Sequence, residues 1–290
     1  MDFQIKNDQI SVTISDFGAE LRSIQSANGI EYLWQGDDNW ASTAPNLFPC
    51  IGRLYGQTYR YQGKEYPIAM HGFVKDSILE VVKQTDDECV FALYSSEETK
   101  ASYPFEFGYQ IGYKVEGKSL LITTRVENKD EKNMFFAIGG HPSFNLPLDE
   151  GVRFDDYYLE FSEECEPKQI EILSDRLYSG EDKVFALADK KRLYLNYQLF
   201  DENALVFRDM AKTVTLKSDH GKHGVTLNYP DMRYLGIWSF QKKYLPYLCV
   251  EPWSSIFGRS QIVEELTGQP SLIPLSAGNC YQTEWSITVF

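Results

Sequence analysis

Phe105-Glu106-Phe107-Gly108-Tyr109-Gln110-Ile111-Gly112-Tyr113-Lys114-Val115 sets large apolar residues at every second position, with small or polar residues between them. Glu116-Gly117 then supplies turn chemistry, and Leu120, Ile122 and Val126 begin a second run. A period of two puts the apolar side chains of each run on one face, which is the signature of a half-buried strand, so the spacing predicts a long antiparallel hairpin. Gly108 and Gly112 are expected to weaken or bend its first strand.

Working outward, further strands are predicted at Ile10–Ile14, Leu79–Val82, Val90–Tyr94, Tyr157–Phe161, Leu193–Leu195, Ala204–Phe207, Val214–Leu216 and Val225–Leu227. Tyr281, Thr283, Trp285, Ile287 and Val289 alternate in a closing strand that recruits the C-terminus to a sheet. Helix is scarce; the clearest candidate is Ser260–Leu266, with Gly268 just beyond as its stop. Many strands joined by short turns favour a large antiparallel β-sandwich over a Rossmann or βα-barrel arrangement. No repeat, linker or break in composition divides the chain, so residues 1–290 read as a single domain, a length that sandwiches and barrels reach undivided.

The chain carries 42 acidic residues against 28 Lys plus Arg, a formal charge of −14. Phosphate contacts need local positive charge, so a nucleic-acid partner is disfavoured and a small neutral substrate fits better. Cys50, Cys89, Cys165, Cys249 and Cys280 are odd in number and form no CxxC pair, which points to reduced thiols. The start, MDFQIKNDQI, has neither the basic nor the apolar segment of a targeting signal, and no run of apolar residues is long enough to span a membrane. The expectation is a cytoplasmic protein; nothing in the sequence sets an oligomeric state.

Four histidines narrow the search for chemistry. His71 lies in Met70-His71-Gly72-Phe73 and His141 in Gly139-Gly140-His141-Pro142-Ser143-Phe144, each framed by residues with special backbone requirements. The competing reading for both is a histidine hydrogen-bonded within a sheet. His220 and His223, in Asp219-His220-Gly221-Lys222-His223-Gly224, read as an exposed connection between strands. Their i, i+3 spacing without an anchored acidic or cysteine ligand is weak ground for zinc, and no metal is expected. Glu251, in Leu248-Cys249-Val250-Glu251-Pro252-Trp253, ends an apolar strand where partial burial raises a carboxyl pKa and an indole offers a plate for a sugar ring. Arg53, in Ile51-Gly52-Arg53-Leu54, is suited either to clamp ligand oxygens or to pair with a carboxylate. A GxSxG elbow, a GxGxxG turn and a GxxxxGK[ST] loop are all missing, so acyl-enzyme chemistry, dinucleotides and nucleotides find no recognisable site and no cofactor is expected.

The order Gly52-Arg53, His71-Gly72-Phe73, Gly140-His141-Pro142-Ser143-Phe144, Gly236-Ile237-Trp238 and Glu251-Pro252-Trp253 resembles the aldose 1-epimerase, or galactose mutarotase-like, superfamily, and most of all its LacX-like branch. The resemblance runs from about Phe17-Gly18-Ala19-Glu20 to the final strand. It implies a large antiparallel sandwich with a sugar groove on one sheet, and interconversion of the α and β anomers of a free aldose. By this resemblance His141 corresponds to the general acid, Glu251 to the general base, and His71 and Arg53 to residues that position the sugar. Where family members often carry an aspartate that holds sugar hydroxyls, this chain offers Asn203, with Asp201 two residues earlier. That departure, and HGF in place of the HGG of galactose enzymes, puts the substrate in doubt and leaves the fold untouched. Trp238 or Trp253 would pack under the apolar face of the ring, although an aromatic residue beside a strand is more often core.

Two other functions compete: sugar binding without turnover, as in a regulatory or carbohydrate-binding module, and mutarotation of a hexose 6-phosphate with Arg53 and Lys75 or Arg22 on the phosphate. The intact His141 and Glu251 argue against the first. A single arginine within the matched motifs ranks free sugars above the second.

Overall fold

The computed structural model describes residues 1–290. At its centre, Phe107–Glu116 and Ser119–Asn128 pair antiparallel along their whole length, Glu116 opposite Ser119 and Phe107 opposite Asn128. The first strand runs unbroken through Gly108 and Gly112 because it is hydrogen-bonded on both sides, to Ser119–Asn128 and to Glu88–Tyr94. On the far side of the hairpin, the closing strand Cys280–Val289 pairs with Ser119–Asn128. These strands belong to a nine-stranded sheet that continues through Val225–Asn228, Thr213–Ser218, Tyr157–Phe161 and Arg192–Tyr194 at one end, and ends at Glu80–Gln84 at the other.

Against it lies an eight-stranded sheet in the order Tyr178–Val184, Lys168–Ile172, Leu205–Arg208, Tyr234–Trp238, Tyr247–Trp253, Gly139–Gly140 and Asn46–Leu47, with Ser143–Asn145 as a second partner of Tyr247–Trp253. The sheets meet through aromatic side chains. Phe48, just past the strand Asn46–Leu47, packs 5.3 Å from Phe107 and 5.0 Å from Tyr109, ring to ring. The Asn46 amide donates 2.9 Å to the Tyr113 hydroxyl. One continuous cluster of 70 buried residues fills the space between and around the sheets. At about 1.5–3 kcal/mol for each large side chain removed from water, this burial is the main favourable term in folding. The observed architecture is therefore the large antiparallel sandwich that the period-two runs predicted.

The segment Ser260–Leu266 departs from expectation. It forms no α-helix; Glu264–Glu265 is extended and pairs in parallel with Thr58–Tyr61, and only a single 3₁₀ turn follows at Leu266–Gly268. Glu264 decides this. Its buried carboxylate accepts from the Arg259 backbone N–H at 3.0 Å and from the Arg259 guanidinium at 3.0 and 2.8 Å, which ties the chain back on itself. The α-helix of the fold is instead Glu97–Ser102, started by Ser96 and Thr99, each side chain bonding the other's backbone N–H. No helix is long and apolar enough to cross a membrane.

Candidate active site

Tyr247–Trp253 supplies the centre of the site. It is buried on both faces; Leu248, Val250 and Pro252 point to one side, and Tyr247, Cys249, Glu251 and Trp253 to the other. Opposite Trp253, the chain passes through Gly139 and Gly140 before reaching His141. Both glycines are forced by close approach: a Cβ on Gly139 would lie 2.8 Å from the Trp253 ring, and one on Gly140 would lie 2.5 Å from Trp285 of the other sheet. Pinched between these two indoles, the backbone delivers His141 across from Glu251. Its Nε2 lies 3.1 Å from Glu251 Oε2, with the glutamate side chain 2% and the histidine side chain 13% exposed.

This pair is close but not satisfied. Of the eight buried side-chain polar atoms without a hydrogen-bond partner, four cluster here: His141 Nδ1, Tyr247 Oη, Glu251 Oε2 and Trp253 Nε1. Burial pulls the His141 imidazole down to about 4 and pushes the Glu251 carboxyl well above the usual carboxylate range, the latter shift opposed by the nearby Trp253 indole. Both groups are thus held toward their uncharged forms, and the rise at Glu251 has the direction expected of a carboxyl at the end of an apolar strand. At this separation the two groups titrate as a pair.

His71 approaches from another loop in a backbone conformation L-residues seldom adopt, with φ of 66°. Gly72, at φ 75°, leaves no room for a side chain, since a Cβ would come within 2.0 Å of the Phe48 carbonyl. Two bonds to Gly52 hold the turn: the His71 N–H donates to the Gly52 carbonyl at 2.9 Å, and the Gly52 N–H donates to His71 Nδ1 at 3.1 Å. Accepting at Nδ1 fixes the neutral tautomer with its proton on Nε2, a ready donor to a ligand oxygen. Burial first, then the neighbouring His141, Lys75 and Arg53, holds this imidazole well below its usual value. The His71 and His141 rings meet edge to face at 5.6 Å. Arg53 is exposed, its Nε 3.5 Å from Met70 Sδ, and it enters no ion pair, so of its two possible roles the carboxylate partnership is absent.

An aromatic wall closes the other side. Trp238 stands edge-on to His141 at 6.0 Å, and Trp40 lies 5.4 Å from His141, 5.3 Å from Trp238 and 5.2 Å from Tyr247. Trp253 does not stand in that wall; only 5% exposed, it forms floor between Gly139 and Gly236. Trp40 and Tyr247 escaped the sequence reading. The signal for Trp40 was there in Gly36-Asp37-Asp38-Asn39, a turn in which Asp37 accepts the N–H groups of Asn39 and Trp40 at 2.8 and 2.9 Å and thrusts the indole forward.

Asn203 and Asp201 sit apart from the pair. The Asn203 amide donates to the Ile172 carbonyl at 3.3 Å, toward the neighbouring edge strands, and Asp201 closes the 3₁₀ turn Tyr197–Phe200 with Oδ1 buried and unpartnered. No hydrogen bond or ion pair joins either to His141 or Glu251. As metal donors, His141, Cys249 and Glu251 offer atoms within 4.8 Å of one another, with burial and the nearby Glu251 pushing the Cys249 thiol well above its usual value.

Fold and site together define a class: a large antiparallel sandwich with a buried histidine–glutamate pair on one sheet, His71 beside it and an aromatic wall on the other side. Residues 1–265 match the model of the aldose 1-epimerase family, and the chain belongs to that family. It is 32% identical over 289 residues to the plasmid-encoded protein LacX of Lactococcus lactis subsp. lactis, covering 95% of this chain and 96% of LacX. Among solved structures, a galactose mutarotase related enzyme from Lactobacillus acidophilus superposes with a TM-score of 0.95 at 33% identity, over 100% of this chain and 97% of that one. A galactose mutarotase-like protein from Lactobacillus casei gives 0.95 at 30% identity, over 100% of both chains.

Proposed function

We propose that this protein is a cofactor-independent aldose 1-epimerase acting on a neutral aldose, with His141 and Glu251 as the proton-transfer pair and His71 and Arg53 as positioning residues. One observation carries the reading: an imidazole and a carboxyl 3.1 Å apart, both buried and with unpartnered atoms, beside the Trp40 and Trp238 indoles. In ring opening the anomeric O–H gives its proton to Glu251, the bond between C1 and the ring oxygen breaks, and His141 Nε2 gives its proton to that oxygen. A free aldehyde results. Rotation about C1–C2 presents its other face, and closure with the transfers reversed yields the other anomer.

The charge states follow from the shared proton. Reaction starts from imidazolium and carboxylate, a state that needs hydrogen-bond donors on the carboxylate, and the sugar hydroxyls supply them. Ring opening ends with neutral imidazole and protonated carboxyl, the state that burial favours. The ranking of free sugars over hexose phosphates also gains support, since Arg22 is paired with Glu20 at 3.0 Å and Lys75 is paired with Asp76.

Polarimetry or proton-NMR anomer exchange on a panel of aldoses and their 6-phosphates tests the proposal. Acceleration on at least one free aldose is expected. Folded protein that accelerates none, while still binding sugar, would make it a binding module; acceleration confined to the phosphates would overturn the substrate class.

A further inference from the structure

Cys249 has no part in the proton transfer, yet its thiol lies among the groups that carry it. The strand Tyr247–Trp253 pairs antiparallel with the chain on both sides of His141: Gly139 is opposite Trp253, and Ser143 is opposite Cys249. The same count sets His141 opposite Glu251, and the Val250 N–H, donating to the Pro142 carbonyl at 3.1 Å, holds the pairing between them. Alternate residues of a strand share a face and stand about 7 Å apart, so Cys249 and Glu251 point the same way with His141 across from them. The result is a triangle of nitrogen, sulfur and oxygen donors. His141 Nε2 and Glu251 Oε2 are 3.1 Å apart, and one donor atom from each of His141, Cys249 and Glu251 lies within 4.8 Å of the other two.

Tetrahedral zinc holds imidazole and carboxylate at about 2.0–2.2 Å and thiolate at about 2.3 Å, which puts neighbouring donor atoms about 3.3–3.6 Å apart. Small side-chain rotations bring the triangle to that size. Charge points the same way. Thiolate, carboxylate and neutral imidazole together carry two negative charges, which a divalent cation cancels, so the filled cluster is neutral in a place where a net charge is costly. Cys249 is 0% and Glu251 2% exposed, and Glu251 Oε2 is an acceptor without a hydrogen-bond partner, which a cation would satisfy. Burial pushes the free thiol up, but a thiol that coordinates a metal is deprotonated outright. The donor set selects the ion: sulfur and imidazole suit zinc, whereas magnesium and calcium require oxygen ligands. Three protein ligands leave the fourth position of a tetrahedron to water or a sugar oxygen.

We propose that His141, Cys249 and Glu251 form an inhibitory site for a thiophilic divalent cation, zinc above all, which occupies Nε2 and Oε2, the atoms that exchange protons with the sugar. The metal site goes beyond the aldose 1-epimerase reading; that filling it stops turnover rests on that reading.

The test takes chelator-treated wild type, Cys249→Ser and Cys249→Ala, titrates each with Co²⁺ followed by absorbance, and measures anomer exchange with Zn²⁺ or Mg²⁺ added. Co²⁺ should give wild type the near-ultraviolet charge-transfer band of a cobalt thiolate and the strong visible bands of a four-coordinate ion, and Zn²⁺ should displace both. The charge-transfer band should be missing from both variants. Zn²⁺ should inhibit exchange by wild type, reversibly by chelator, while Mg²⁺ leaves it unchanged. Both variants should keep metal-free exchange within about twofold of wild type and need at least about tenfold more Zn²⁺ for half-inhibition. If Cys249→Ser fails to fold, Cys249→Ala, which puts no polar group in the buried position, carries the test. No cobalt thiolate band in wild type, or a band that survives in the variants, would overturn the site. A band that depends on Cys249 while Zn²⁺ leaves exchange unchanged or speeds it would overturn the inhibition and leave the epimerase reading standing. Exchange on no sugar by metal-free protein would overturn the epimerase reading, and the metal site would then stand or fall on the cobalt spectra.

Discussion

Two histidine–carboxylate contacts in this chain differ in one respect that decides what each can do. His223 Nδ1 meets Asp149 Oδ1 at 2.6 Å, and Asp149 Oδ2 also accepts the N–H groups of Lys222 and His223 at 3.0 and 3.1 Å. Burial alone would raise the Asp149 carboxyl, but these donors outweigh it and hold the group below the usual range. His141 and Glu251 are 3.1 Å apart with no backbone N–H on the carboxyl and only the Trp253 indole opposing burial, which leaves the carboxyl raised and the imidazole lowered. A carboxylate whose acceptor positions are filled ties a loop together; a buried one left open is a candidate for proton exchange. Proximity of His to carboxylate is common to both, so it cannot be what marks the site.

Substitutions should separate the two pairs, first by rate. His141→Asn should lower kcat by about 10² to 10⁴, equivalent to about 3–5 kcal/mol, whereas His223→Asn should leave it within about twofold. Combined with Glu251→Gln, His141→Asn should cost less than the product of the two single losses, because both groups serve the same ring-opening step. Stopped anomer-exchange assays on each folded variant measure this directly.

A smaller effect, of opposite sign in the two pairs, should appear in stability. Asp149→Ala strips the acceptor from two backbone N–H groups and an imidazole, at about 2 kcal/mol, lowering Tm by roughly 4 to 8 °C. Glu251→Gln should raise it at neutral pH, since burial disfavours the ionised wild-type carboxyl in the fold while it ionises freely in the unfolded chain. A raised folded pKa favours the native state below the ordinary value of 4.5 and disfavours it above, so the gain from Gln should vanish as pH falls below that value. Thermal melts across pH check both signs.

The sequence reached much of this because strand period is local information. Phe107 to Val115 and Leu120 to Val126 announce their own face, and the sheet forms where the period says. His141 and Glu251 were legible for a related reason: glycines before one and an apolar strand ending at the other are local marks of a backbone held close to something. What stayed hidden is assembled from distant strands. Trp40 and Tyr247 come from separate stretches until the fold sets them side by side near His141. The misread helix at Ser260–Leu266 fails likewise, because the buried Glu264 that keeps it extended binds Arg259 in a loop and aligns with Tyr59 far away in sequence. The rise at Glu251 could be read from the apolar strand it ends, whereas the lowering of His141 depends on burial that no single stretch reveals.

The finest distinction between the pairs lies in the pH profile of kcat/KM. The active form holds one proton on the pair, so activity should fall as pH drops through about 4, where His141 takes up a second, and again on the alkaline side as the raised Glu251 carboxyl gives up the last. Asp149→Asn should move neither limb.

The most direct test of the shared-proton pair is anomer exchange of a saturating aldose followed by proton NMR, with wild-type and folded Glu251→Gln protein compared at equal concentration. Gln fits the same space and cannot take the anomeric proton, so the account predicts a rate at least about a hundredfold below wild type with sugar binding retained. Near-normal exchange by the Gln variant would contradict it.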